Sequence, residues 1–317
     1  MLLYALLALL LLFDGYRLGS LTVRLAFVAW DATGGRVARK WRESAGGDSV
    51  MGLTVFSFGG GVQSTAALVL AAQGKLQVDA FLFANVGEKS ENPATLRYVH
   101  EVAMPYAKAH GIQLIELRRI RRDGTSEDLY DRIMSGKRGL VIPVHLQGSG
   151  PMRRQCTVDF KIAVINRWLR EHGATASNPA TVMLGISTNE ELRAARQHDG
   201  PRYRQVTYPL LAPDVRMSRM DCINVIVGAG LPIPPKSSCR FCPYHTLQAW
   251  RDLRDDQPDV FVQDVRLEQH LTDWSLKRGH RPVYLSSQQR PLPQVVGNAS
   301  QPRLFEDETC ESGYCMV

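Results

Sequence analysis

The strongest constraint on this chain is residues 53–65, LTVFSFGGGVQST, where a short β-rich run meets three glycines and then a stretch of helical character. Strand, glycine turn and helix in that order bring backbone N–H groups and a positive helix end to one point. Such a point binds phosphate without any side-chain cation. Ser57, Gly59, Gly60, Gly61, Gln63, Ser64 and Thr65 are therefore the first candidate nucleotide-binding residues. The spacing has neither the Gly-Lys-Ser/Thr ending of a Walker A loop nor the G-x-G-x-x-G of a dinucleotide loop. On the motif alone, an ordinary glycine-rich βα turn stays open as the alternative.

The chain beyond the loop alternates. Residues 78–85 (VDAFLFAN) read as a fully apolar buried strand, 94–110 as a helix, 112–117 as a third strand and 181–186 (TVMLGI) as a further buried strand. This predicts an α/β fold with a doubly wound parallel sheet. Asn85 ends the second strand, and open α/β sheets bind ligands at the carboxyl ends of their strands. From Tyr208 the pattern changes to a smaller helical, cysteine-containing part, with helices over 217–227, 247–254 and 260–271. Four segments follow: an apolar and basic extension over 1–50, a nucleotide-binding domain over 51–210, a helical region over 211–275 and an extended tail over 276–317.

Composition excludes a disordered chain, with 44% hydrophobic and 22% charged residues. The net charge of +7 suits an anionic partner without naming one. The apolar run from Leu2 to Phe13 is shorter than the roughly 20 residues of a membrane span, and no Lys or Arg precedes it. It reads as an upstream or appended segment before a start at Met51, with a short anchor as the alternative and a membrane partner disfavoured. An ATP site implies the cytoplasm, where the six cysteines suit metal or redox chemistry better than structural disulfides.

The glycine segment resembles the PP-loop, S-G-G-x-D-S, of the adenine nucleotide α-hydrolase-like superfamily, with Gly59-Gly60-Gly61-Val62-Gln63-Ser64 aligned to it. Gly59 stands for the usual Ser and Gln63 for the usual Asp, a pattern closer to the Ser-Phe-Gly-x-Gln of phosphoadenosine phosphosulfate (PAPS) reductases. The resemblance covers roughly residues 53 to 255. It implies that Asn85 contacts the adenosine moiety and that Gly185, Glu190 and Arg193 belong to a second nucleotide-facing loop. It also places Arg153, Arg154 and Lys161, in Arg-Arg-Gln-Cys-x4-Lys, near the substrate as catalytic residues. Arginines suit phosphate or sulfate by bidentate, always-charged donation. A solvated basic loop is their plainer reading.

Cys239-Arg-Phe-Cys242 is a C-x2-C between a proline-stiffened approach and Pro243, a turn that aims two thiolates at one metal. Cys156 and Cys222 complete a set of four, with His245 able to substitute for either. The set suits a [4Fe-4S] cluster or Zn2+, and a chain without metal stays open. Resemblance to APS reductases favours the cluster, although those enzymes carry a Cys-Cys pair where this chain has Gln155-Cys156. In the reductases a C-terminal Glu-Cys-Gly supplies the nucleophile. Thr309-Cys310-Glu311 is loosely similar, which makes Cys310 the candidate nucleophile, with Cys315 nearby.

Two enzymatic readings result. A PAPS reductase-like enzyme would bind ATP or PAPS and act in sulfur transfer or sulfonucleotide reduction with a sulfur donor or thiol reductant. An adenylating enzyme would use ATP with Mg2+ to thiolate or otherwise modify a base in a nucleic-acid substrate. A reading from another class is a non-catalytic, zinc-containing nucleic-acid-binding protein.

Overall fold

The computed structural model describes residues 52–137, 139–195 and 200–296. The expected membrane-anchor segment and both tail cysteines, Cys310 and Cys315, lie outside the described residues. No helix among the described residues is long and apolar enough to cross a membrane.

In chain order the elements begin with β1 (Thr54–Phe58), α1 (Val62–Ala72), β2 (Ala80–Asn85), α2 (Pro93–Tyr98), a π-turn (Val99–Ala103), α3 (Met104–Ala109) and β3 (Leu114–Arg118). They continue with α4 (Leu129–Met134), β4 (His145–Leu146), α5 (Gln155–Thr157), a second π-turn (Val158–Ile162), α6 (Ala163–Glu171), β5 (Ala180–Leu184), α7 (Glu191–Ala194) and β6 (Arg204–Thr207). The last are α8 (Arg219–Gly228), α9 (Leu247–Asp256), α10 (Pro258–Leu276), β7 (Val283–Tyr284) and α11 (Leu292–Val296).

Five strands form one parallel sheet in the order β3-β2-β1-β5-β6. The fold is α/β, as the alternating pattern predicts. Successive residues of each strand face opposite sides, so both faces must be apolar and covered. Val55, Leu82 and Val182 pack with Val164, Ile165 and Leu169 of α6 on one face. Phe56, Phe58, Phe81 and Phe83 pack with Ala67 and Leu68 of α1 and Leu96 of α2 on the other. The order reverses between β1 and β5. That switch point opens a crevice at the carboxyl ends of those two strands.

Residues 211–296 do not stand apart from the sheet. Trp250, Phe261, Leu267 and Leu271 share one core with Val86, Leu129, Ile142 and Phe160. α8 packs on α1 through Cys222, Ile226, Val62, Ala66 and Leu70.

The C-x2-C turn is tied into this core by a buried ion pair. Arg240, between the two cysteines, is 3% exposed and pairs with the fully buried Asp264 of α10 at 3.0 Å. Its guanidinium also donates to the carbonyls of Lys89 and Val260 and to Gln263 Oε1, and lies against the rings of Tyr130 and Phe241. Burial pushes the Asp264 carboxyl up to about 7, against the opposing pull of Arg240. Breaking a buried pair by removing one partner costs about 3–5 kcal/mol, because the other charge stays buried. Arg240→Ala should lose that much at pH 8 in chemical denaturation. The loss should shrink at pH 5.5, where the stranded carboxyl takes a proton; equal losses at the two pH values would mean that Asp264 is not the group left uncompensated.

Candidate nucleotide and cysteine site

β1 ends at Phe58 because Gly59-Gly60-Gly61 turns the chain into α1. Gly60 sits at φ +74, a conformation that favours glycine. A Cβ there would also meet Thr95 Cγ2 at 2.8 Å and Val99 Cγ2 at 3.1 Å. Gly61 precedes α1, and no side chain caps that helix. The first-turn amides and the positive end of an 11-residue helix therefore face the switch-point crevice, which is the electrostatic requirement for an anion.

The second predicted loop closes the other side of the crevice. A Cβ on Gly185 would lie 3.2 Å from Gln63 Cβ and 3.3 Å from Phe56 Cζ, so glycine is what lets β5 end against the start of α1. Gln63 Nε2 lies 3.5 Å from both Ser187 Oγ and Glu190 Oε2. Arg193 Nη1 is 3.5 Å from Glu190 Oε1. Gln63, Gly185, Glu190 and Arg193 are thus one cluster at the switch point, with Ser187 as a buried fifth member.

Three predicted loop contacts take different roles. Ser64 Oγ donates to the Gly61 carbonyl at 3.0 Å and accepts from the Gly61 amide at 3.1 Å, so it shapes the loop from within. Thr65 is fully buried beneath it. Asn85 is also buried, and its amide is spent inside the fold: Nδ2 donates to Glu116 Oε1 at 2.7 Å and Oδ1 accepts from the Gly87 amide at 2.8 Å. The Asn85 side chain thus ends β2 and ties it to β3.

A cavity open to solvent runs between the sheet and α6. Ser57, Phe58 and Gly59 line it at the loop, and Phe83, Ala84, Ile162, Ile165, Val182 and Leu184 give it an apolar slot. Lys161 and Arg204 supply its cations. Arg204 escaped the sequence reading because nothing marks the edge strand that carries it. Its Nε is buried with no hydrogen-bond partner among the described residues, and burial lowers its pKa.

A second cavity, also open to solvent, holds the cysteines. Cys156, Cys239 and Cys242 all line it, with Arg154, Thr157, Tyr244 and again Lys161. Arg153, its predicted partner, is exposed and lines neither cavity.

Cys222 does not join them. It is fully buried on α8 against α1, in a separate core, and burial pushes its thiol up to about 12. The predicted set of four becomes three among the described residues, because the helix that carries Cys222 turns that thiol onto an apolar face. In that core Cys222 packs as a small hydrophobe, as buried free cysteines commonly do.

His245 is no substitute either. Its Nε2 lies 2.9 Å from the Cys239 carbonyl and 3.1 Å from that of Arg240, so this nitrogen carries the proton and ties the turn together. Burial lowers its pKa to about 4, which keeps the ring neutral. His145 Nε2 holds the far side of the turn through the Pro243 carbonyl at 2.9 Å.

Cys156, Cys239 and Cys242 line one cavity, and thiolates are the donors an iron-sulfur cluster takes. No three His, Cys, Asp or Glu among the described residues converge closely enough to hold one metal ion.

No family model matches the chain, and no curated protein is similar to it in sequence. Among solved structures, the U34-tRNA thiolase NcsA from Methanococcus maripaludis with its [4Fe-4S] cluster is similar over 84% of this chain and 88% of that one, at 12% identity and a TM-score of 0.36.

Gly60→Ala tests the loop. The left-handed backbone and the clash with Thr95 together should cost about 1–3 kcal/mol. ATP affinity should fall at least tenfold by titration calorimetry, and unchanged affinity would remove the loop from the site.

Proposed function

We propose that the chain is a PP-loop type enzyme that activates a base of a nucleic-acid substrate with ATP and then thiolates it. One observation carries this reading. Lys161 lines both the cavity at the glycine loop and the cavity of the three cysteines, so a nucleotide and a sulfur-handling group would meet across a single cation.

The chemistry divides between the two cavities. A base carbonyl oxygen attacks the α-phosphorus of ATP, the bond to the β-phosphate breaks and pyrophosphate leaves; a sulfide from an external donor then forms the C–S bond as the C–O bond breaks and AMP departs. The α1 amides would hold the leaving pyrophosphate, with Mg2+ carried on the phosphates and at most one or two carboxylates, as that ion usually is. Glu190, at the switch point, would be the acid for it. Lys161 and Arg154 would offset the charge that grows on the phosphates.

Cys156, Cys239 and Cys242 would hold a [4Fe-4S] cluster, which when bound to three protein thiolates supplies an iron open to an external sulfur ligand. A cluster of the usual four thiolates has no such iron. The displacement of Cys222 therefore favours sulfur transfer over the reductase reading, whose nucleophile, Cys310, lies outside the described residues. The net charge of +7 suits a polyanionic substrate.

Anaerobically purified protein should be brown, with labile sulfide and a broad band near 400 nm, at roughly four irons per chain. Cys156→Ala, Cys239→Ala and Cys242→Ala should each lose the iron. Cys222→Ala should keep it at a cost of about 1 kcal/mol in stability. With ATP, sulfide and RNA the protein should release pyrophosphate and AMP and leave thiolated bases detectable by mass spectrometry. Sulfite release from PAPS, without pyrophosphate formation from ATP, would sink this reading and restore the reductase.

A further inference from the structure

Glu91 stands at the seam between the two cavities and was marked by no motif. It lies six residues past β2, just before Asn92, whose side chain caps α2. It is 2% exposed, and its Oε1 has no hydrogen-bond partner among the described residues. A carboxylate that deep in a protein is ordinarily satisfied by several donors or by a close cation. Here the cation is Lys161, with Nζ 3.8 Å from Glu91 Oε1, too far for a hydrogen bond.

The same residue is fixed to the cysteine turn. Glu91 forms an antiparallel bridge with Cys239, and the flanking backbone bonds run from the Arg240 amide to the Ser90 carbonyl at 2.9 Å and from the Asn92 amide to the Ser238 carbonyl at 3.3 Å. Its other end, through Lys161, reaches the nucleotide cavity. One buried acid is thus held against a cysteine segment by the backbone bonds of its two neighbours, and paired by its charge with a lysine that borders both cavities.

We propose that Glu91 is a positioning residue that couples the two cavities: it holds the Lys161 ammonium toward the cysteine side when the nucleotide cavity is empty and yields it to the nucleotide phosphates when the cavity fills. This rests on the nucleotide reading above and adds the residue that links its two halves. The loose 3.8 Å pair makes the exchange feasible, because phosphate oxygens offer Lys161 closer, charge-assisted bonds than Glu91 does. Coupling between two sites is reciprocal. Filling one cavity must therefore change the other.

The test is a double-mutant cycle in ATP binding, read by titration calorimetry on the full chain. Glu91→Gln, which removes the competing charge and keeps the shape, should tighten ATP binding about fivefold, and Glu91→Asp should stay within twofold of wild type. In a Lys161→Met background, Glu91→Gln should change the affinity less than twofold, because the effect passes through Lys161. Persistence of the fivefold gain in that background would show a through-space charge effect and overturn the proposal, as would no gain at all.

A second readout concerns the cysteines. ATP should change the rate at which a chelator strips iron from the anaerobically purified protein, followed by the absorbance near 400 nm, at least threefold in the wild type. The rate should become independent of ATP in Glu91→Gln and in Lys161→Met, so the proposal can be judged on the lysine variant even if the glutamine variant fails to fold. Equal ATP effects in all three proteins would overturn it. Wild-type protein that binds no ATP would overturn the nucleotide reading too, whereas normal ATP binding without coupling overturns this inference alone.

Discussion

Everything at the site depends on how closely α1 can approach the ends of β1 and β5. The approach is made by three positions without a side chain. Gly60 turns through a left-handed conformation against Thr95 and Val99, Gly61 leaves no room beside Ser237, and Gly185 lets Gln63 and Phe56 come to contact distance. With the helix held there, its uncapped amides point into the crevice and its positive end acts on whatever occupies it. A side chain at any of the three would move the helix outward, weakening the field at the crevice and opening the seam where Gln63 meets Ser187 and Glu190.

The sheet was legible because buried parallel strands announce themselves. AFLFAN and ATVML are nearly unbroken apolar runs, and a strand covered on both faces has no alternative composition. β6, RQVT, was not legible: as an edge strand its residues alternate between half-buried and exposed, and its sequence reads as loop. α4 was hidden by the basic stretch before it, although Asp128 caps it through the Tyr130 amide. The switch-point residues Gln63, Gly185, Glu190 and Arg193 were found through a motif resemblance that composition could not have supplied.

The polar side chains beside the crevice share one physical form. Asn85, Ser64 and Thr65 belong to the segments expected to meet a nucleotide, and their side chains are buried within the fold. A polar residue beside a ligand crevice is as often the clamp that ends a strand or shapes a loop as it is a ligand contact, and only the partner atoms tell the two apart. Cys222 carried a signal that was available. Ser218 and Asp221 form a capping box that fixes the start of α8, and Cys222 then shares a helix face with Ile226, four residues on. A cysteine on the apolar face of a capped helix is core before it is a ligand. Glu91 gave no such signal, since Glu is almost never fully buried without a partner and its partner lies seventy residues away in sequence.

The juxtaposition of Cys156 and Lys161 depends on an irregularity that sequence periodicity cannot show. In a regular α-helix, residues five apart are separated by about 140° around the axis, so the thiol and the ammonium would face different ways. Between them the chain adopts a π-turn over Val158–Ile162, whose i→i+5 closure widens the helix and brings the fifth residue back toward the side of the first. Cys156 and Lys161 can then line one cavity while Lys161 also reaches the other. The π-turn is supported from both sides. Phe160 at its centre is fully buried beneath the guanidiniums of Arg119 and Arg132, and Arg132 pairs with Asp159 at 2.9 Å. A second π-turn, Val99–Ala103, stands behind Gly60 through Val99. π-turns cost hydrogen-bond geometry and persist where the surroundings over-determine them. Here the surroundings are two arginines stacked on a buried ring, and what the irregularity secures is a single cation shared between two cavities.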